Sequence, residues 1–346
     1  MRVATLYRPN DNGTVTCTAC RRYCRLKDGQ TGFCGVRKNV GGVLQLLVYG
    51  RPLAVNVDPI EKKPVLHAYP GTNIYSLSTA GCDFACKFCQ NYDISQRREV
   101  VGDHMEPYEI VEEAIRYGCQ GIAYTYNEPT IFTEYAMDIG KEAHRHNLFN
   151  IYVTNGYETE ETMDLLREFL DFATVDFKGN AAIDFYRKYI LVPDSHAIFD
   201  TLELFKRAKI HVEITDLVIP EIGDRLDEAR YMIERVREIF GDEMPVSFLR
   251  FHPDYILKNL PVTPLSTLIE HYRLARDMGM KYVYIGNVPG LKEQNTYCPK
   301  CGALLVERNY LYTQKIFLGK DSRCPICGTK IPIIMGDFYE QRELTR

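Results

Sequence analysis

Ser78-Thr79-Ala80-Gly81-Cys82-Asp83-Phe84-Ala85-Cys86-Lys87-Phe88-Cys89-Gln90-Asn91 places three cysteines, spaced C-x3-C-x2-C, directly after the strand-like run Asn73 to Thr79. A closed zinc site here would require a fourth protein ligand. Three thiolates instead suit a cubane 4Fe-4S cluster with one iron left open for a small molecule. The chemistry is therefore expected at the end of that strand.

Outward from this loop, between about residues 73 and 290, apolar strand-like runs alternate with helical segments, the signature of a parallel β/α architecture. Strands are expected at Asn73 to Thr79, Gly121 to Tyr126, Phe149 to Thr154, Phe172 to Phe177, Ile210 to Ile219, Val246 to Phe251 and Lys281 to Gly286. The helices between them are Pro107 to Tyr117, Thr130 to His146, Glu160 to Leu170, Ala197 to Lys209, Glu228 to Phe240 and Pro264 to Met278. Thr159 reads as a cap followed by Glu160 and Glu161, and Thr263 as a cap with Pro264 at the first helical position. The fold class is α/β, a partial (β/α)6-type TIM barrel open on one side, in which ligands lie at the C-terminal strand ends. Polar residues gather at those ends: the cysteine loop, Asn127-Glu128-Pro129, Asn155-Gly156, Asp176 to Lys178, His252 and Asn287.

Small cysteine-rich modules flank the barrel, giving expected units of 1–72, 73–290 and 291–346. In the first, Gly42 to Val57 reads as a hairpin about Tyr49-Gly50-Arg51-Pro52. Its cysteines run Cys17-x2-Cys20-x3-Cys24-x9-Cys34 among Arg21, Arg22, Arg25, Arg37 and Lys38. They suit zinc or a second 4Fe-4S cluster, with redox thiols as a further reading, and the cations suit an acidic electron donor. The last module carries Cys298-Pro299-Lys300-Cys301-Gly302 and Cys324-Pro325-Ile326-Cys327-Gly328, 22 residues apart. Four thiolates on two tight turns make a closed tetrahedral site, which indicates structural zinc, with rubredoxin-type iron as the rival.

The 346 residues are 45% apolar, enough for a large buried core. Lys plus Arg number 42 against Asp plus Glu 46, for a net charge of −4, so no global basic field draws the chain to nucleic acid. The start carries no apolar signal region, and no stretch nears the roughly 20 apolar residues of a membrane helix. A cytoplasmic protein is expected. Eleven of the twelve cysteines fall in clusters with metal-ligand spacing, which favours metal over disulfides. Cys119 stands alone as a packing residue.

The C-x3-C-x2-C loop, with an aromatic before its last cysteine and a strand upstream, resembles that of the radical S-adenosylmethionine (SAM) superfamily. The resemblance implies that SAM chelates the open iron and is reductively cleaved to a 5′-deoxyadenosyl radical, which abstracts a hydrogen atom. It further implies SAM-binding roles for Phe88 near the adenine and for Glu128 at the amine, in Tyr126-Asn127-Glu128-Pro129, where Tyr126 and Asn127 replace the glycines of the family's Gly-Gly-Glu-Pro. Asn155, in Val153-Thr154-Asn155-Gly156, resembles the Asp-Thr-Asn-Gly of pyruvate formate-lyase activating enzymes, with Val153 in place of the aspartate. Asp176, Lys178 and His252 match residues near SAM in those activases, and Asn287 belongs to the same set. Tyr124 and Tyr126 lie near the expected site, where a radical relay competes with simple packing.

Together with Asp58-Pro59-Ile60-Glu61-Lys62-Lys63-Pro64, Gly286-Asn287-Val288-Pro289-Gly290 and the final knuckles, these runs resemble, essentially end to end, the AmmeMemoRadiSam-system radical SAM enzymes. That likeness implies Memo-like and AMME-type partner proteins and a reduced flavodoxin or ferredoxin as electron donor. Three readings follow. The radical acts on a small molecule or partner protein; or the chain is a glycyl-radical-enzyme activase, a pyruvate formate-lyase activating enzyme-like oxidoreductase; or it is a non-catalytic iron-sulfur and zinc scaffold or electron carrier.

Overall fold

A computed structural model describes residues 1–336 and 338. Its centre is an eight-stranded sheet made of β1 (Ala54–Pro59), β2 (Asn73–Ser78), β3 (Gly121–Tyr124), β4 (Phe149–Thr154), β5 (Phe172–Lys178), β6 (His211–Val218), β7 (Val246–Arg250) and β8 (Val283–Gly286). Strands β2 to β8 are parallel and lie side by side in chain order. β1 adds antiparallel to β2 at the edge. Since β1 and β8 are opposite edges of the sheet, the wall is open.

Six helices make the crossovers: α1 (Pro107–Arg116), α2 (Thr133–Arg145), α3 (Glu160–Leu166), α4 (His196–Ala208), α5 (Leu226–Phe240) and α6 (Leu265–Asp277). The strands read as near-continuous apolar runs because helices cover one face and the barrel interior the other; all four residues of β3 are buried. Start signals act locally. Glu106 and Glu109 form a reciprocal capping box ahead of α1, and the Thr159 hydroxyl accepts from the Thr162 amide to cap α3. Thr263 does something else. It is buried, accepts from the Phe251 amide (2.9 Å) and donates to the Val218 carbonyl (2.7 Å), so it ties the ends of β6 and β7 together instead of capping α6.

The hairpin expected about Tyr49 to Pro52 is not formed. Val43–Leu46 pairs instead with Arg37–Val40 across Gly41-Gly42, both with positive φ (61° and 85°), as a tight hairpin turn demands. Past Pro52 the chain crosses to the barrel, where 54–59 becomes β1. The remaining N-terminal strands are Tyr7–Pro9, Val15–Cys17 and Arg25–Leu26, which form one small sheet, and Arg2–Val3, which joins Val43–Leu46. This region docks on the barrel through a buried Arg37–Glu134 ion pair and a bridge between Cys20 and Glu158.

At the other end Thr296–Tyr297, Leu304–Asn309 and Tyr312–Ile316 form a three-stranded antiparallel sheet. Residues 337 and 339–346, the tail of the C-terminal module expected from the sequence, lie outside the described residues. His67 pins this sheet to the barrel: its ring nitrogens meet the Pro332 carbonyl (3.0 Å) and the Tyr284 hydroxyl (2.6 Å), and its backbone carbonyl accepts from Ile334 (2.8 Å). Arg308 adds a bond to the Leu66 carbonyl (2.8 Å). Among the described residues no helix is long and apolar enough to cross a membrane.

Burial lowers the His67 pKa from its ordinary 6.5 to about 4. The unfolded chain therefore binds a proton that the fold excludes. Its contribution is complete above about pH 6.5 and is lost as pH falls toward 4, to the extent of about 3 kcal/mol at roughly 1.4 kcal/mol per pH unit. Anaerobic denaturation at pH 7.5 and pH 5 is expected to show a smaller stability loss in His67→Gln than in the unaltered chain. Parallel curves for the two proteins would count against the assignment.

Candidate active site

The cysteine loop leaves β2 and is held by its backbone. The Asn127 side chain donates to the carbonyls of Thr79 (2.7 Å) and Gly81 (2.8 Å), and Arg98 donates to Cys82 O (3.1 Å). Arg22 bonds the Asp83 carbonyl. On the far side, Ala85 and Lys87 amides donate to Ile190 O (3.2 Å) and Tyr189 O (2.9 Å), and the Lys87 carbonyl accepts from Ile256 (2.9 Å). Gly81 has φ +91°, and a Cβ there would stand 2.3 Å from the Cys34 carbonyl. Only glycine fits this approach.

The loop faces a cavity of about 720 Å³. Cys82, Cys86 and Cys89 line it, and so does each residue singled out in sequence: Phe88, Glu128, Asn155, Asp176, Lys178, His252 and Asn287. Their settings differ. Phe88 is buried, with its ring 5.6 Å from that of Phe185. The Asn155 carboxamide donates to Asp83 (2.7 Å) and accepts from the Tyr157 amide (3.1 Å). Lys178 pairs with Asp176 (2.8 Å), which also accepts from Thr215. His252 and Asn287 are exposed at the cavity edge, and Asn287 adopts φ +62°.

Glu128 is 2% exposed. One carboxylate oxygen accepts from the Thr130 amide (3.0 Å) and the hydroxyls of Thr130 (2.6 Å) and Thr154 (2.9 Å), and the other from the Asn155 amide (2.7 Å). Burial, then the nearby Asp83 and Glu158 carboxyls, push its pKa well above the usual carboxylate range. Asp83 and Glu158 are themselves raised by burial, and one Glu158 oxygen is buried without a hydrogen-bond partner. Three carboxyls crowded out of water cannot all be ionised at low cost. The cluster is thus suited to a cation arriving from the cavity.

The donor set fits a 4Fe-4S cluster with an open iron, since three thiols line the cavity and, among the described residues, no other cysteine does. Residues 76–236 match the sequence profile described as the Radical SAM superfamily. The chain belongs to the radical SAM superfamily. Radical SAM proteins use a 4Fe-4S cluster and SAM for radical chemistry. Over 339 residues the chain is 45% identical to a Methanocaldococcus jannaschii protein called Uncharacterized protein MJ0808, covering 97% of this chain and 100% of that one. Among solved structures it is similar to a domain of pyruvate-formate lyase-activating enzyme from Bacteroides vulgatus, at 16% identity over 48% of this chain and 99% of that one, TM-score 0.43. It is also similar to Streptococcus suis SuiB bound to S-adenosylmethionine, at 12% identity over 66% and 53%, TM-score 0.48.

Several cavity residues of this radical SAM chain were not singled out from the sequence. Lys63 is 1% exposed, pairs with Asp58 (2.7 Å) and stands 4.5 Å from the centre of the Tyr126 ring, whose hydroxyl also bonds Asp58. Burial lowers its pKa to about 8. The acidic residues Asp58 and Glu61 followed by Lys62 and Lys63 were the available signal. Tyr284, Arg308 and Tyr310 extend the cavity away from the strand ends, through the barrel toward the C-terminal sheet. Tyr126 has φ +67°, the conformation that a glycine adopts freely. Tyr124 is fully buried, donates to Asn150 (3.0 Å) and packs as core. Cys119 is buried in the same core.

Outside the cavity, the Sγ atoms of Cys298 and Cys327 lie 3.6 Å apart, as do those of Cys301 and Cys324, and all four fall within 4.8 Å of one another. Tetrahedral thiolates on bonds of about 2.3 Å stand roughly 3.8 Å apart.

Asn127→Ala leaves the Thr79 and Gly81 carbonyls unpaired in a buried setting, a loss of about 2–3 kcal/mol. Anaerobic thermal melts should show unfolding several degrees lower, with less iron retained after desalting. Coincident melts and equal iron would show that the loop holds its shape without this clamp.

Proposed function

We propose that this chain is a radical SAM enzyme in which Cys82, Cys86 and Cys89 hold a 4Fe-4S cluster whose open iron binds SAM, and that it abstracts hydrogen from a small molecule or a partner protein. The observation that carries this is the convergence, on one cavity, of three thiols without a fourth and a buried carboxylate crowded by two others. Bound there, cluster and SAM would supply reductive cleavage to a 5′-deoxyadenosyl radical.

The residues of the chain bind, orient and exclude water. Glu128, oriented by Thr130, Thr154 and Asn155, receives the SAM amine. A positive charge arriving beside it favours the ionised carboxyl. Asp176 and Lys178 face the ribose and carboxylate, Phe88 packs near the adenine, Asn155 lines the buried wall, and His252 and Asn287 complete the rim. A cavity of about 720 Å³ falls within the usual range of small-molecule sites, about 300–1,000 Å³. The C-terminal quartet, with its tetrahedral spacing, holds structural zinc. The end-to-end motif resemblance supports membership of the AmmeMemoRadiSam group, with Memo-like and AMME-type partners and flavodoxin or ferredoxin as donor.

Protein reconstituted with iron and sulfide, given SAM and dithionite, should form 5′-deoxyadenosine, and Cys86→Ala should form none. Glu128→Gln should keep its iron but bind SAM about tenfold more weakly or worse. Absence of 5′-deoxyadenosine from the fully loaded protein, or its formation by the Cys86→Ala variant, would refute the proposal.

A further inference from the structure

The chain carries two sets of four cysteines, and the structure treats them differently. The C-terminal thiols have collapsed onto one another at 3.6 Å, the spacing of a single tetrahedral ion. Cys17, Cys20, Cys24 and Cys34 instead stand around a space. They line one small pocket, walled also by Ala19, Phe33 and Ile131. Among the described residues, the only group of three or more potential ligands with donor atoms all within 4.8 Å of each other is the C-terminal one. The N-terminal thiols are thus too far apart to close around one ion, yet all four border the same space.

That arrangement suits a polynuclear centre, in which each thiolate binds a different iron and the width of the core separates the sulfurs. Cys17, Cys20 and Cys34 are buried and Cys24 half-buried, so the centre is shielded from water. The Arg22 guanidinium lines the pocket 3.6 Å from the Phe33 ring centre and bonds the carbonyls of Asp83 and Leu191. It is a fixed positive charge beside a centre that carries negative charge.

We propose that Cys17, Cys20, Cys24 and Cys34 hold a second 4Fe-4S cluster, so that the chain carries two clusters and one zinc. The second cluster abuts the first loop: the Cys34 carbonyl packs on Gly81, and the Cys20 thiol interacts with the Asp83 carboxyl, next to Cys82. The assignment deepens the proposed function, but its readout is metal content and does not require SAM turnover.

The test is iron, acid-labile sulfide and zinc analysis of the full chain after anaerobic reconstitution and desalting, with Mössbauer spectra. The unaltered protein should hold about eight irons and one zinc, and Cys82→Ala/Cys86→Ala/Cys89→Ala about four irons with a 4Fe-4S spectrum. Cys17→Ala/Cys20→Ala should also retain about four. If that variant fails to fold, the triple variant still decides, because it leaves the N-terminal set intact; Cys86→Ser with circular dichroism replaces the triple variant if needed. About four irons and two zincs in the unaltered protein, with none of the iron surviving in the folded triple variant, would overturn the second cluster and leave the SAM reading standing. A triple variant that keeps four irons while Cys17→Ala/Cys20→Ala keeps none would refute the first cluster instead.

Discussion

One corner of an iron-sulfur cube stays open only where three thiolates are held by a backbone that cannot bring up a fourth. Here the holding is done by groups outside the loop. The Asn127 amide grips the two carbonyls at which the chain leaves β2, Arg98 and Arg22 take the next two, and the segment after β5 takes the amides of Ala85 and Lys87. The carbonyls that Asn127 holds are buried and costly to leave unpaired. The loop therefore inherits its shape from the barrel strands, which places the thiols, Glu128 and the Asp176–Lys178 pair around one cavity.

The same dependence explains how the modules at the two ends of the chain are attached. The N-terminal region is fastened by the Arg37–Glu134 ion pair and by Gly81, whose missing side chain admits the Cys34 carbonyl. Arg37 and Glu134 are both buried, so removal of either would strand a charge. The C-terminal sheet is fastened through His67 and Arg308, and Arg308 also lines the cavity. The C-terminal sheet thereby borders the space in which substrate would sit, while the N-terminal region backs the cysteine loop.

The parallel strands and their crossover helices were legible in the sequence because buried strands are apolar throughout and polar residues mark their ends. The line of strand-end residues also led to most of the cavity. What the sequence concealed was long-range. The hairpin was misplaced because Gly50 and Pro52 looked like a turn, while the pairing followed Gly41-Gly42 and edge strand β1 found its partner on the barrel. Thr263 looked like a cap, yet its hydroxyl serves two strand ends. Lys63 was passed over because a lysine in a charged run ordinarily points to water, and its burial depends on Asp58 and the Tyr126 ring. Asn127 stands in sequence where the family pattern has a glycine; its role as a clamp requires knowing where the β2 carbonyls end.

The central claim is that SAM binds an iron that no protein side chain occupies. Electron-nuclear double resonance on the reduced protein, frozen with SAM carrying ¹⁵N in its amine and ¹⁷O in its carboxylate, tests this most directly. The account predicts strong hyperfine coupling from both labels to the reduced cluster, lost on replacement of Cys86. Weak, distant coupling from a SAM molecule that is nonetheless bound would contradict it.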